Sequence, residues 1–264
     1  MHSRNKWVKA AAILCGGYIV TQNPTLASDR QPVKNVVLVH GAWADGSSWA
    51  KVIPLLEERG LHVVAVQNPL TGLADDVAAT KRAIDAQDGP VLLVGHSYGG
   101  AVITEAGNNP KVVRLMYVAA FGPDTGESVA TTANNFAPAP VGPEVRPIED
   151  NYLILTGKGV AEDFAQDLSS AEKRVLAATQ APTAGPAFAA PISEAAWRNK
   201  PSWYVVAERD RMINPDYERF AAKRMGAKTL SLPSSHVPML SKPKEVAAFI
   251  AEAAAAGGTT ASVR

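Results

Sequence analysis

The segment Gly-His-Ser-Tyr-Gly-Gly at residues 95–100 holds the residues of this chain that are best suited to chemistry. It follows the turn signal Gly89-Pro90 and the apolar run at residues 91–94, and it precedes a stretch that can form a helix, residues 101–106. A serine between glycines, at a sharp turn from a buried strand into a helix, matches the Gly-x-Ser-x-Gly nucleophile elbow. The pattern predicts that Ser97 is a nucleophile that needs a base and a group to orient that base.

Two loops near the C-terminus supply candidates for the base and for the orienting acid. Asp210 follows the predicted strand Ser202–Val206, and His236 follows the predicted strand Lys228–Leu232. In an open parallel sheet, reactive groups collect at the carboxyl ends of the strands. In a known class of serine hydrolases, the catalytic residues follow one another along the chain in this same order, serine, aspartate and histidine. We therefore predict that Ser97, Asp210 and His236 meet at one edge of the sheet.

Two other carboxylates compete with Asp210 for the orienting role. Glu208 is nearer the strand end, but its longer side chain would more readily point to solvent or pair with a neighbouring arginine. Asp124 follows a fourth predicted strand, in a loop that begins a long excursion of the chain. Three further histidines are interpreted as structural, namely His40, His62 and His96.

Backbone donors for a negatively charged oxygen are predicted in two loops. The sequence His40-Gly41-Ala42-Trp43 follows the first predicted strand, and Gly41 would let the Ala42 N–H approach a substrate oxygen. The Tyr98 N–H stands at a helix N-terminus, so the two donors together would form an oxyanion hole. Three apolar residues beside these groups are predicted to line the substrate pocket, namely Trp43, Phe121 and Val237.

The alternation of strand and helix patterns predicts a doubly wound, mostly parallel six-stranded sheet flanked by helices. Residues 122–200 break this rhythm, because they are rich in proline and alanine and hold no convincing buried strand, although helical pieces are predicted near 160–180. So long an excursion predicts a lid or a binding insertion. The predicted strands are 35–39, 61–66, 91–94, 112–119, 202–206 and 228–232, and the predicted helices are 49–58, 74–86, about 214–225 and 243–255.

Composition narrows the classes of partner and cofactor. The chain has 264 residues, 47% of them hydrophobic and 19% charged, and a net charge of +1. Without a basic run or stripe there is no electrostatic support for nucleic-acid binding. Cys15 is the single cysteine, and no cysteine–histidine spacing suits zinc, so neither a metal nor another cofactor is predicted. The oligomeric state is left open.

The N-terminus is typical of a secretory signal peptide. A basic start with Arg4, Lys6 and Lys9 leads into an apolar stretch at residues 10–20, which ends before small residues around Ala27. We expect cleavage after Ala27, export to a bacterial periplasm or exterior, and no stable membrane association afterwards. The predicted organisation is a signal peptide at 1–27 and one domain at 28–264.

From about residue 34 to residue 254 the chain resembles the α/β-hydrolase superfamily. Within it, the chain looks most like the small single-domain branch that holds plant methylesterases, plant hydroxynitrile lyases and many bacterial esterase-like proteins. Five segments carry the resemblance, namely residues 39–43, 95–100, 117–121, 210–213 and 236–243.

The resemblance implies that Ser97 is the nucleophile, His236 the base and Asp210 the orienting acid, with Ala42 and Tyr98 as oxyanion donors. The lyases of this branch typically carry threonine where this chain has Gly41 and lysine where it has Val237. Both departures favour hydrolysis over cyanohydrin cleavage. The expected function is hydrolysis of a small carboxylic ester through an acyl-enzyme. The alternatives are hydrolysis of an amide, lactone or carbon–carbon bond, or ligand binding with little turnover.

Overall fold

Apolar runs rich in valine, leucine and alanine become most of the strands of the larger sheet. A computed structural model of the chain describes residues 33–257, so the predicted signal peptide at 1–27 lies outside the described residues. Every residue of the first and third strands is buried, because helices cover both faces of the sheet. The strands are β1 Asn35–Val39, β2 His62–Val66, β3 Val91–Ser97, β4 Val112–Ala120, β5 Val145–Pro147, β6 Tyr152–Leu155, β7 Thr183–Ala184, β8 Ser202–Ala207 and β9 Lys228–Leu232.

The larger sheet has six strands in the order β2-β1-β3-β4-β8-β9, and each neighbouring pair is parallel. The chain runs outward from β1 to β2 and then returns to the other side of β1 as β3. The loops that follow β1 and β3 therefore meet at the point where the strand order reverses, which is where open parallel sheets bind ligands. The predicted doubly wound, six-stranded sheet flanked by helices is confirmed.

Helices pack in pairs and against the sheet. The helix Leu73–Asp85 lies against Gly99–Ala106, and Ile53–Glu57 lies against Pro243–Ala255.

Within residues 33–257, no helix is long and apolar enough to cross a bilayer. The helices numbered here are α1 Ile53–Glu57, α2 Leu73–Asp85, α3 Gly99–Ala106, α4 Ser170–Thr179, α5 Pro215–Arg224 and α6 Pro243–Ala255. Further helical segments of three to five residues lie at Gly46–Trp49, Val129–Thr132, Gly142–Glu144, Glu149–Asn151, Gly157–Gly159, Val160–Phe164, Gly185–Ala189, Ala196–Arg198 and Pro238–Ser241.

The predicted helix at 49–58 differs from the structure. A short turn, Gly46–Trp49, is separated from α1, which begins only at Ile53. Pro54 explains the break, since proline has no N–H to donate and fits the first turn of a helix rather than its middle. Asp45 caps the short turn, because its carboxylate accepts the Ser47 N–H at 2.6 Å.

Residues 121–201 join β4 to β8, and we call them the insertion. They contain a second sheet, in which β6 pairs antiparallel with both β5 and β7. The sequence predicted no convincing buried strand here, and the strands that form are short. These strands have two to four residues each, and only β7 is buried throughout, so they lack the continuous apolar run that marks most strands of the larger sheet.

Close packing at the elbow requires glycine at position 99. A Cβ atom at Gly99 would lie 2.7 Å from the carbonyl oxygens of both Val39 and His40, which is closer than real Cβ atoms come. Those oxygens belong to the end of β1 and the residue that follows it, so they cannot move without disturbing the sheet. Gly99 thus allows α3 to start directly against β1.

We predict that Gly99→Ala destabilises the fold by about 3 kcal/mol, since one extra methyl must displace backbone atoms. In thermal unfolding this corresponds to a loss of roughly 6–12 °C in Tm. Gly142→Ala is the matched control, because a Cβ at Gly142 meets nothing within 4 Å. Equal Tm values for the two variants would contradict this account of the elbow.

Candidate active site

Ser97 lies at the end of β3 in a strained turn. Its φ is +55°, a left-handed value that a serine adopts only where the surrounding structure enforces it. The Phe121 N–H donates to the Ser97 carbonyl at 3.1 Å and ties the turn to the end of β4. Across the turn, a Cβ at Gly41 would lie 2.6 Å from the Ser97 Cβ, so the loop after β1 passes directly over the serine.

Ser97, His236 and Asp210 form one chain of hydrogen bonds. The Ser97 Oγ lies 2.8 Å from His236 Nε2, and the His236 Nδ1 lies 2.5 Å from Asp210 Oδ2. His236 is fully buried, while Ser97 is 7% and Asp210 is 5% exposed. The structure therefore brings together the three residues that strand order and spacing had predicted to meet.

A tight turn after β8 positions Asp210. The Asp210 N–H donates to the Ala207 carbonyl at 3.1 Å, which folds the carboxylate back toward the sheet. Its Oδ1 accepts the N–H groups of Met212 at 2.7 Å and Ile213 at 2.9 Å, and its Oδ2 faces His236. A buried carboxylate needs such donors, because an unpaired charge in the interior is costly.

The two competing acids lie elsewhere. Glu208 is exposed. Asp124 is engaged by Arg198, whose Nε donates to Asp124 Oδ1 at 2.7 Å and whose Nη2 lies 2.5 Å from Oδ2. Among the described residues, Asp210 is the carboxylate that contacts the His236 ring.

Backbone hydrogen bonds hold the acid loop to the histidine loop. The Glu208 N–H donates to Leu232 at 2.9 Å, and the Arg209 N–H donates to Ser234 at 3.1 Å. These bonds continue the parallel pairing of β8 with β9 beyond the ends of the strands. The distance between Asp210 and His236 is thus set by the sheet itself.

His96 positions the histidine loop from beneath. Its Nε2 lies 2.8 Å from the His236 carbonyl oxygen, which can only accept, so Nε2 carries the proton. The other ring nitrogen, Nδ1, is buried and finds no partner within the described residues. Burial, reinforced by the nearby His236, lowers the pKa of His96 well below 6.5. The expected structural histidine is therefore neutral and supports the backbone of His236.

His40 is also a structural residue. Its Nδ1 donates to the Gly41 carbonyl at 2.8 Å, and its Nε2 accepts the Asn68 N–H at 2.9 Å. Burial lowers the pKa of His40 below 6.5. Both ring nitrogens are occupied by backbone groups, so the ring holds the loop after β1 in place rather than facing Ser97.

The predicted oxyanion donors occupy suitable positions. Ala42 follows Gly41 in the loop over Ser97, and Tyr98 is the residue that precedes α3. Neither N–H forms a backbone hydrogen bond in the loops and turns of residues 33–257. The Tyr98 hydroxyl donates to the buried Asp76 carboxylate at 2.7 Å, which anchors the elbow to α2.

The three predicted pocket residues have different surroundings. The Trp43 indole N–H donates to the Leu153 carbonyl at 2.9 Å and so connects the loop after β1 to the insertion. The Phe121 ring packs 5.6 Å from the ring of Tyr217, although its backbone touches Ser97. Val237 is buried directly after His236.

The insertion contributes three site residues that the sequence did not reveal. The Phe164 ring packs 5.3 Å from the His236 ring, and the Phe188 ring packs 5.5 Å from the Tyr98 ring. The Asp167 carboxylate accepts the Ser235 N–H at 2.8 Å, next to His236. No local pattern marks these residues, because each reaches the site through the tertiary path of the insertion.

A surface cleft of about 400 Å³ borders Asp210 from outside, between Arg209, Arg211 and Asn214, but its walls do not include Ser97 or His236. The reacting groups therefore lie behind this cleft and not in it. Within residues 33–257, no group of three histidine, cysteine, aspartate or glutamate side chains could hold a metal ion.

The arrangement can support nucleophilic chemistry. A hydroxyl that is hydrogen-bonded to an imidazole can lose its proton to that ring as it attacks an electrophilic carbon. A carboxylate on the far side of the ring fixes the tautomer and stabilises the imidazolium that results.

An open parallel sheet with a serine elbow after β3, an acid after β8 and a histidine after β9 defines the α/β-hydrolase class. Residues 36–249 match the family described as the Alpha/beta hydrolase family. This chain belongs to that family.

Similar proteins are found in fungi, plants and bacteria. "Probable hydrolase R7" of Phoma sp. is 26% identical over 241 residues, which cover 83% of this chain and 97% of that protein. "Methylesterase 2" of Arabidopsis thaliana is 25% identical over 266 residues, covering 82% of this chain and 94% of that protein. The crystal structure of a pyrethroid hydrolase from Sphingobium faniae superimposes with a TM-score of 0.73 at 24% identity, covering 85% of this chain and 98% of that one. The predicted resemblance to the superfamily and its methylesterase branch is confirmed.

We predict that His96→Gln weakens the acid sensitivity of the fold. The unfolded chain protonates His96 below about pH 6.5, whereas the folded chain does not, so stability is lost as pH falls. Between pH 7.5 and pH 5, the free energy of unfolding should therefore fall by up to about 2 kcal/mol less in His96→Gln than in the unmodified protein. Urea denaturation at the two pH values measures the difference.

His62→Gln removes an exposed histidine and serves as the control. It should show the same pH dependence as the unmodified protein. A His96→Gln variant as acid-sensitive as this control would mean that His96 accepts a proton in the folded state.

Proposed function

We propose that this protein is a serine hydrolase that cleaves small carboxylic esters through an acyl-enzyme. The observation that carries the proposal is the hydrogen-bonded chain from Ser97 through His236 to Asp210, with distances of 2.8 and 2.5 Å. Membership of the α/β-hydrolase family supports it.

In the first half of the reaction, His236 Nε2 takes the Ser97 proton while Oγ attacks the ester carbonyl carbon. The carbonyl oxygen becomes an oxyanion that the Ala42 and Tyr98 N–H groups stabilise. The ester C–O bond then breaks, and the alcohol leaves with the proton that His236 returns. The acyl group remains bonded to Ser97.

In the second half, His236 takes a proton from water as the water attacks the acyl carbon. The Ser97–acyl bond breaks, His236 returns the proton to Oγ, and the carboxylic acid is released. Asp210 stays ionised throughout and stabilises the imidazolium at each step, since it keeps two backbone donors in addition to the ring.

The surroundings of Ser97 favour a small, mostly apolar ester. Aromatic rings lie near the reacting groups, since Phe164 packs on His236 and Phe188 packs on both Tyr98 and Trp43. Only 7% of Ser97 is exposed, so a bulky polar substrate would not reach it without movement of the insertion. Names of similar proteins support an ester as the scissile group, since they include a methylesterase and a pyrethroid hydrolase.

We predict that Ser97→Ala lowers the turnover of p-nitrophenyl acetate by more than a thousandfold, on the order of losses seen when a serine nucleophile is removed. It should also abolish covalent labelling by a fluorophosphonate probe. Ser202→Ala is the control, because it removes a buried hydroxyl at the opposite, amino end of β8.

Retained turnover in Ser97→Ala would refute the proposed nucleophile. Labelling of Ser97 without turnover of esters of any chain length would indicate that the protein cleaves an amide, a lactone or a carbon–carbon bond. Neither labelling nor turnover in the unmodified protein would favour a binding protein that keeps the fold.

The role of the acid gives a separate prediction. Asp210→Asn should lower kcat by about 10⁴-fold, because an amide stabilises neither the required tautomer nor the imidazolium. Glu208→Gln and Asp124→Asn should retain most of kcat, since neither carboxylate contacts His236. A near-normal kcat in Asp210→Asn together with an inactive Asp124→Asn would assign the orienting role to Asp124, in the loop after β4.

A further inference from the structure

A second carboxyl group lies buried beneath Asp210. Glu218 stands on α5 and has no exposed surface. Its Oε2 accepts the N–H of Ala207, the last residue of β8, at 2.9 Å. The Glu218 side chain therefore reaches the point where β8 ends and the turn to Asp210 begins.

The other oxygen of Glu218 has a different neighbour. Oε1 is buried and meets no hydrogen-bond donor among the described residues. The Glu218 side chain is placed to share a hydrogen bond with the Asp210 carboxylate. Because Oε2 already accepts the Ala207 N–H, we assign this contact to Oε1. Two oxygen acceptors can share a hydrogen bond only if a proton lies between them.

The donors around the pair decide which carboxyl keeps the proton. Asp210 receives three donors, the N–H groups of Met212 and Ile213 and the His236 ring. Glu218 receives one, from Ala207. Since hydrogen bonds from donors stabilise the charged form, the negative charge belongs on Asp210 and the proton on Glu218.

The charges around Glu218 agree with this assignment. Burial, together with the charge of Asp210, raises the pKa of Glu218 well above 4.5, while the Ala207 N–H and the distant Arg219 oppose the shift only in part. Arg219 is half-exposed and pairs with Asp216 at 2.9 Å. Tyr204, another titratable group nearby, donates its hydroxyl to the Ala120 carbonyl and not to Glu218.

We propose that Glu218 is a positioning residue, a neutral carboxylic acid whose Oε1–H donates to Asp210 and extends the Ser97–His236–Asp210 chain by one member. The proposal rests on the proposed function for its effect on catalysis, but not for the location of the proton. The donated hydrogen bond holds the Asp210 carboxylate in place, and it also reduces the negative charge that Asp210 presents to His236.

The location of the proton is tested by stability and needs no activity. Above the ordinary carboxyl pKa of 4.5, unfolding of the unmodified protein releases the Glu218 proton, so its stability falls as pH rises. Glu218→Gln cannot titrate. The unfolding equilibrium constant of the unmodified protein, divided by that of Glu218→Gln, should therefore rise as pH increases above 5. The rise is about tenfold per pH unit for as long as Glu218 stays protonated in the folded protein.

Asp216→Asn is the control for this measurement, because it removes an exposed carboxyl from the first turn of the same helix. Its stability relative to the unmodified protein should not follow that slope. Infrared difference spectra at pH 7 should show the carbonyl stretch of a protonated carboxylic acid that Glu218→Gln lacks. A constant ratio across the pH range, with no such band, would overturn the proposal.

The effect on catalysis is tested by comparing two substitutions with p-nitrophenyl acetate. Glu218→Gln keeps an acceptor for Ala207 and a donor for Asp210, so it should retain most of kcat. Glu218→Met has similar length but no donor, and it should lower kcat about tenfold with little change in KM. In Glu218→Met the acidic limb of kcat/KM should also move to higher pH, because the unscreened Asp210 charge favours the imidazolium of His236.

If Glu218 were purely structural, both substitutions would lower the folded fraction and neither would move the acidic limb of the kcat/KM profile. Equal losses of kcat in the two variants, or an unmoved limb in Glu218→Met, would refute the positioning role. If Glu218→Met fails to fold, the pH slope of Glu218→Gln still decides where the proton lies. That slope is independent of Ser97, so failure of the proposed nucleophile would leave it unchanged.

Discussion

One negative charge, on Asp210, is held in the interior at the carboxyl edge of the sheet, and much of the surrounding structure serves to make that burial tolerable. The charge is compensated by two backbone N–H groups and by the imidazole of His236. Each of these donors exists only because the loop after β8 turns sharply and runs beside the loop after β9. The hydrogen bond between Asp210 and His236 is thus central to the site and also joins the two loops.

A second constraint acts from the opposite side of the histidine. The Ser97 backbone is held at a φ of +55°, which costs free energy that the close packing of β3, α3 and the loop after β1 must offset. His96, one residue earlier, then uses its neutral ring to hold the His236 carbonyl. Two neighbouring residues of β3 therefore act on His236. Ser97 presents its hydroxyl to the ring, and His96 supports the backbone.

Most of the fold and the central site residues could be predicted from the sequence, for physical reasons. The strand at 35–39 was predicted to the residue, because an apolar run between turn residues identifies a buried strand of a parallel sheet. The strand at 228–232 was also predicted to the residue, although it lies at the edge of the sheet and is mostly exposed. The serine, acid and histidine could be predicted because such a sheet gathers strand ends at one edge. The helix at 49–58 could not, since a proline inside an apparently periodic segment moved its start.

The insertion resisted prediction because its contacts are made by single side chains at scattered positions. Phe164 packs on His236, Asp167 accepts the Ser235 N–H, and Gln166 donates to the Arg209 carbonyl at 2.6 Å. The insertion therefore helps to hold the two loops that carry Asp210 and His236. A chimera that takes its insertion from a relative would have to keep these contacts with both loops. Without them, the His236 imidazole would lose its alignment with Ser97 and Asp210.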